Sequence, residues 1–236
     1  LTKYLSGVVS PPLRAEAAHP DLGILITPDT PQYRNDIEDF LTWAADNGCF
    51  SQAKPFDEQR WLRWLDSMPR PLCLWATAPD VVGNHPGTLR RSAPWLPVIR
   101  EMGFKAAFVA QNGAKPNDVP WDDFDVLFIG GVLECLPCRW KKPTDMDRKV
   151  KHCPKCSRKL TEWKEGEKAR ILVVEAKQHG KGTHVGRVNT GQRFRYCQDI
   201  GADSADGTKL AFDGGQAGVD DILSWLDNPQ QRLLAV

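Results

Sequence analysis

The chain has 236 residues, with 31 Lys/Arg against 30 Asp/Glu and 41% hydrophobic residues, enough for a sizeable core in one large domain or two small ones. It contains no run of about 18 apolar residues, which excludes a membrane-spanning helix. No signal-peptide pattern stands at Leu1, where the missing initiator Met suggests a trimmed start. The net charge of +1 conceals an asymmetry: Cys135 to Leu160 holds nine Lys/Arg and two Asp, a local +7 on a remainder at −6.

Short apolar runs alternate with amphipathic segments. Strands are expected at Lys3–Val9, Gly23–Thr27 and Leu41–Ala45, with Pro28–Asn35 reading as a loop. A helix follows at Phe56–Met68, with Asp57 near its start. Its Trp61, Leu62, Trp64 and Leu65 fall at helical spacing, which places the tryptophans in a core rather than against a ligand. Next come strand Leu72–Thr77, helix Gly87–Met102 with Thr88 near its start and Gly103 at its stop, strand Ala106–Ala110, a loop at Lys115–Trp121, and strand Val126–Ile129. The last stretch reads as helix Thr161–His179, strand Thr183–Val188, helix Thr190–Ile200 stopped by Gly201, strand Ala202–Ala205 and helix Val219–Asp227. Eight strands interleaved with helices predict an α/β protein of the (β/α)₈, TIM-barrel type. An open doubly wound sheet is the rival, weakened because no Gly-x-Gly-x-x-Gly follows a strand and no phosphate loop occurs. No internal repeat is evident.

Between the sixth strand and the helix at 161 lie two Cys-x-x-Cys pairs, Cys135/Cys138 and Cys153/Cys156, fourteen residues apart. Two such knuckles can close a four-sulfur tetrahedron around one structural Zn²⁺; two disulfides or four unrelated thiols are the alternatives. His152 reads as a surface residue, because four thiolates saturate zinc. The expected organisation is a barrel of residues 1–132 and 161–236 with a zinc ribbon, 133–160, inserted in it. Thiolates for zinc, with Cys49, Cys73 and Cys197 unpaired, favour a reducing cytoplasm. Arg139, Lys141, Lys142, Arg148, Lys149 and Lys151 lie between the knuckles and could follow a phosphate backbone. A basic ribbon that serves only solubility is the bland alternative.

A barrel keeps its chemistry at the C-terminal strand ends. These carry Asp46-Asn47-Gly48, Pro79-Asp80, Gln111-Asn112-Gly113, Gly130-Gly131, Gly186-Arg187-Val188-Asn189 and Asp203-Ser204-Ala205-Asp206-Gly207. Asp or Asn before Gly often marks only a turn. Together, the six ends supply carboxylates, an amide and exposed backbone suited to a planar polar heterocycle and to a nucleophile with a proton carrier. His184 could serve packing or substrate contact.

The series Trp43-Ala-Ala-Asp-Asn-Gly48, Ala76-Thr-Ala-Pro-Asp-Val-Val-Gly83, Val109-Ala-Gln111, Phe128-Ile-Gly-Gly131, Gly186-Arg-Val-Asn189 and Gly201-Ala-Asp-Ser-Ala-Asp-Gly-Thr208 resembles the tRNA-guanine transglycosylase superfamily. It is most similar to the smaller, phage-type DNA 7-deazaguanine transglycosylases, over about Gly23 to Phe212. The resemblance implies a (β/α)₈ barrel that exchanges guanine in DNA for a 7-deazaguanine of the 7-cyano or 7-aminomethyl type, through a covalent aspartyl-glycosyl intermediate. It implies Asp206 as nucleophile and Asp46 as acid/base carboxylate. Phe50 would stack on the base, Asp80 and Gln111 would read its polar edge, Gly130 and Gly131 would present backbone groups, and Gly186 would let the base lie flat. If the chain is phage-encoded, the host cytoplasm is its expected compartment.

Departures bear on substrate. Asn47 and Cys49 replace a serine and a glycine of the family's Asp-Ser-Gly-Gly-Tyr segment, and Gly207-Thr208 replace its usual Cys-Val. The C-terminal zinc site of the tRNA enzymes is absent, which favours DNA over tRNA. Base exchange on RNA, a non-catalytic zinc nucleic-acid-binding protein on a degenerate barrel, and a barrel hydrolase of small substrates are the other readings.

Overall fold

The computed structural model describes residues 1–30, 33–50, 56–147, 149–213 and 215–227, without the side chains of 33–35. In chain order the elements are β1 (Lys3–Ser6), α1 (Pro11–Ala15), β2 (Leu22–Ile26), α2 (Tyr33–Asp39), β3 (Trp43–Ala45), α3 (Glu58–Asp66), β4 (Cys73–Thr77), α4 (His85–Ser92), α5 (Trp95–Glu101), β5 (Ala106–Ala110) and β6 (Val126–Ile129). A small pair, β7 (Leu133–Glu134) and β8 (Thr161–Glu162), precedes α6 (Glu167–Gln178), β9 (Gly182–Val185), α7 (Gly191–Asp199), β10 (Ser204–Gly207) and α8 (Gln216–Leu226). Strands β1–β6, β9 and β10 pair in parallel and close a barrel of eight, with β1 against both β2 and β10. The fold is the TIM-type barrel expected from the alternation, and the open sheet is excluded by this closure.

Burial follows from the strand period of two. Tyr4, Ile24, Trp43, Phe108, Leu127 and Val185 face outward into the layer shared with the helices. Leu5, Leu25, Ala44, Trp75, Ala107, Val109, Val126 and Phe128 fill the barrel interior. In α3, Trp61, Trp64 and Leu65 are buried, and the Asp57 side chain caps the helix by accepting from the Arg60 N–H at 2.9 Å.

Several boundaries differ from the sequence expectation, each for a local reason. The helix expected over Gly87–Met102 is two helices, because Pro94 and Pro97 supply no N–H to bond the preceding turn. Its true cap is Asn84, whose Oδ1 accepts from the Gly87 N–H at 3.1 Å. Thr88 is buried one turn inside, where its Oγ1 accepts from the Val81 N–H at 3.0 Å and pins the loop after β4. The helix expected from Thr161 begins at Glu167, since Thr161 and Glu162 pair with Glu134 and Leu133 and a 3₁₀ turn follows. Two short helices went unforeseen: α1, capped by Ser10, and α2, which begins within the stretch read as a loop. β9 stops at Val185 and β10 runs on to Gly207, so Asp206 lies inside a strand.

Candidate active site and cysteine ribbon

Strand-end residues converge at one mouth of the barrel. Asp206 is buried, its Oδ1 2.9 Å from His184 Nε2, while Oδ2 receives the Arg187 N–H at 3.3 Å. His184 is fully buried and its Nδ1 lies 2.8 Å from Ser204 Oγ. Ser204 and His184 are direct neighbours in the β9–β10 register, which makes this contact a cross-strand pair. Trp75 and Phe128 pack their rings against His184 at centroid distances of 4.7 and 4.5 Å. The imidazole therefore has no rotational freedom and fixes the Asp206 carboxylate. The sequence left His184 undecided; its signal was a lone imidazole within a strand, between Thr183 and Val185.

Asp46 follows β3 in the chain. Burial, then the negative charges of Asp206 and Asp80, push its carboxyl up to about 7. Asp80 is raised as well, by burial, and is opposed by two amide donors. Asn47 Nδ2 donates to its Oδ1 at 3.0 Å, and Gln111 Nε2 donates to its Oδ2 at 2.5 Å. The Gly83 N–H donates to Gln111 Oε1 at 2.8 Å, which fixes the orientation of that amide. Asp80, Gln111 and Asn47 thus form one buried acceptor–donor strip.

Gly130 and Gly131 border this strip. Gly131 has φ +99°, and a Cβ there would meet Trp163 Cε3 at 2.8 Å, so both conformation and space require glycine. A Cβ on Gly186 would lie 2.6 Å from Phe128 Cε2 and 3.3 Å from Asp206 Oδ1, keeping the ground beside that carboxylate open. Arg187 occupies the left-handed region, φ +59°, uncommon for a non-glycine residue. Its guanidinium donates to the Gly131 carbonyl and sits 4.3 Å over the ring of Phe50, which is 42% exposed at the rim. Beneath this turn Lys164, buried, donates to the carbonyls of Gly186 at 2.7 Å and Arg187 at 3.0 Å. Burial, then the neighbouring Arg187 charge, lower its ammonium to about 8. Nothing in the sequence marked Lys164, since its partners arrive only through the fold.

The ribbon rises on β7–β8, so the insertion extends to Glu162. Its two knuckles repeat one geometry. The Cys135 N–H donates to Trp140 O and its carbonyl accepts from Arg139; the Cys153 N–H donates to Arg158 O and its carbonyl accepts from Ser157. Arg139 and Ser157 share φ values of +58° and +57°. Bridges Glu134↔Lys141 and His152↔Lys159 complete the match. This short structural repeat escaped the sequence because only the cysteines and a lysine coincide. The four sulfurs lie within 4.8 Å of one another, with contacts of 3.4, 3.4 and 3.8 Å, and none is disulfide-bonded. Zn–S bonds of about 2.3 Å require tetrahedral edges of about 3.8 Å, so these thiols could hold a zinc-sized ion.

Of the basic residues between the knuckles, Arg139, Lys141, Lys149 and Lys151 are exposed. Arg148 lies outside the described residues. Lys142 is buried and donates to Val150 O at 3.0 Å. Lys141 reaches the barrel, donating to the carbonyls of Gly83 at 2.6 Å and Asn112 at 3.3 Å. Among the described residues no helix is long and apolar enough to cross a membrane.

No family model and no curated protein matches the chain. Solved structures resemble it at low identity. Ligand-free tryptophan synthase from M. tuberculosis, a TrpA mutant, gives a TM-score of 0.49 at 12% identity, covering 92% of this chain and 88% of that one. The Amycolatopsis orientalis BexX/CysO complex gives 0.48 at 16%, covering 97% and 93%. A native KDPGal structure gives 0.45 at 13%, covering 96% of each chain.

Proposed function

We propose that the chain is a glycosyltransferase of the base-exchange type, replacing guanine in DNA by a 7-deazaguanine through an aspartyl-glycosyl intermediate. The observation that supports this best is the pairing of two unlike carboxylates at one mouth: Asp206 held by His184 and a backbone N–H, and Asp46 held protonated near neutrality partly by Asp206's charge.

In this reading Asp206 Oδ2, the oxygen without the imidazole, attacks C1′ of the target nucleotide. The C1′–N9 bond breaks, and Asp46 donates its proton to the departing guanine. The incoming deazaguanine returns a proton from its N9 position to Asp46 and attacks C1′, breaking the ester bond to Asp206. Two inversions restore the β-linkage. The Asp80 oxygens each keep a lone pair beyond the amide they accept, which suits the adjacent N1–H and N2–H donors of guanine. Gln111 borders the same edge, Phe50 offers its ring for stacking, and the opening at Gly186 lets the base lie flat beside Asp206. Such a base must leave the stack before reaching the mouth. Exposed Arg139, Lys149 and Lys151 would contact phosphates without reading sequence. Zinc, held by Cys135, Cys138, Cys153 and Cys156, would fold the ribbon.

The test is label release from guanine-labelled DNA and RNA incubated with 7-deazaguanines. Release from DNA, lost together with any covalent adduct in Asp206→Asn, supports the reading. Release confined to RNA moves it to RNA base exchange; no release from either polymer, or full release by Asp206→Asn, overturns it.

A further inference from the structure

The first cysteine knuckle reaches into the barrel mouth through groups that hold no metal. Lys141 Nζ bridges the carbonyls of Gly83 and Asn112. The Asn112 side chain completes the joint: Nδ2 donates to Val132 O and Glu134 Oε2, both at 3.1 Å, and Oδ1 accepts from the Val132 N–H at 2.7 Å. Both carbonyls that Lys141 grips belong to residues that adjoin the base-edge strip. Gly83 donates its N–H to Gln111 Oε1, and Asn112 follows Gln111 directly. Gln111 in turn holds one oxygen of Asp80. On the other side, Lys141 is fixed by its bridge to Glu134 and by the Trp140 carbonyl's bond to the Cys135 N–H.

We infer that Lys141 is a positioning residue through which the cysteine ribbon sets the orientation of the Asp80–Gln111 pair, and so the choice of heterocycle. Lys141 keeps part of its surface in water, and charge-assisted bonds from its Nζ to two carbonyls offset rotamer entropy lost when the side chain is tied down. Gly83 is held in the left-handed region at φ +73°, so its carbonyl and N–H point apart, one to Lys141 and the other to Gln111. The ribbon's shape is thereby transmitted one residue from the amide that reads the base. The identity of the base rests on the transglycosylase reading; the mechanical coupling does not.

Hydrogen exchange and kinetics test this on the full chain. In Lys141→Met the Gly83 amide should exchange about tenfold faster with the four thiols still metal-loaded, whereas Lys141→Arg should keep most of the protection. Chelation of metal from the parent chain should give the same acceleration, and chelation of Lys141→Met should add little, the non-additivity expected of one shared path. The KM for the incoming base should rise about tenfold in Lys141→Met, with the KM for DNA changing less than twofold. Unchanged Gly83 exchange in Lys141→Met, or a rise in the DNA KM alone, overturns the inference and returns Lys141 to the phosphate contacts. Faster Gly83 exchange in a chain that exchanges no base keeps the coupling and refutes the transglycosylase reading instead. If Lys141→Met fails to fold, the Gly83 protection of Lys141→Gln before and after chelation decides by the same criterion.

Discussion

Asp46→Asn should make the protein more stable and less active, with both effects governed by pH. Holding this carboxyl at about 7 rather than 3.8 means the folded chain binds a proton that the unfolded chain has lost between those values. Stability contributed by the protonated form is complete below about pH 4 and is lost as pH rises through 7. At about 1.36 kcal/mol per pH unit the full difference is about 4 kcal/mol. The side chain is only partly shielded from solvent, and screening reduces the observable loss to about 2 kcal/mol. An amide of the same shape carries no such charge. Asp46→Asn should therefore gain under about 1 kcal/mol at pH 5 and about 2 kcal/mol at pH 8, a rise in Tm of about 4–8 °C at the higher pH. Thermal and urea melts of both chains across that range measure the difference. If Asp46 is the acid of the proposed exchange, guanine release by the parent chain should fall as pH rises through about 7, and Asp46→Asn should lack that limb. A gain independent of pH, or release that increases through pH 7, would refute the assignment of a partly buried, charge-coupled acid.

Three further outcomes are expected. Metal analysis should find about one Zn²⁺ per chain, and Cys153→Ser, which removes the buried ligand of the second knuckle, should lose most of it; full retention would exclude the four-thiol site. Gly186→Ala should raise the KM for the incoming base at least about tenfold and cost about 1–3 kcal/mol of stability, since its Cβ would lie 3.3 Å from Asp206 Oδ1 and 2.6 Å from Phe128 Cε2, a ring wedged against His184; unchanged kinetics would place the base elsewhere. Replacing Arg139, Lys149 and Lys151 together by Gln should lower the salt slope of DNA binding by about three and raise the KM for DNA without altering base choice; an unchanged slope would make the ribbon's charge irrelevant to phosphate.

Much of the barrel is legible because burial imposes a pattern. Ala106–Ala110 and Val126–Ile129 are strands with the bounds their apolar runs suggest, since both faces of each are covered. Where proline or a turn competes with periodicity, as at Pro94 and Thr161, the pattern alone runs too far. Asp46, Asp80, Gln111 and Asp206 could be picked out because carboxylates and amides at strand ends are conspicuous. Their supports could not. His184, Lys164 and Lys141 act on partners 20 or more residues away, and only barrel closure reveals whether a histidine faces Asp206 or a lysine faces two carbonyls.

The seam of the barrel has a kinetic consequence. β1 and β10 pair across some 200 residues, with Leu5 opposite Asp206. A contact of such long range forms late, after the intervening βα units have shortened the effective loop. On the ribosome, β10 emerges some 200 residues after β1 and must find a strand made that much earlier. Asp206 reaches His184 when β10 pairs with β9, and the wall around it is complete only when β10 also meets β1. Partly folded chains would therefore carry Asp46, Asp80 and Gln111 without Asp206 seated against His184. In the proposed exchange reaction, a chain that lacks a seated β10 would meet the base without the carboxylate that attacks the sugar.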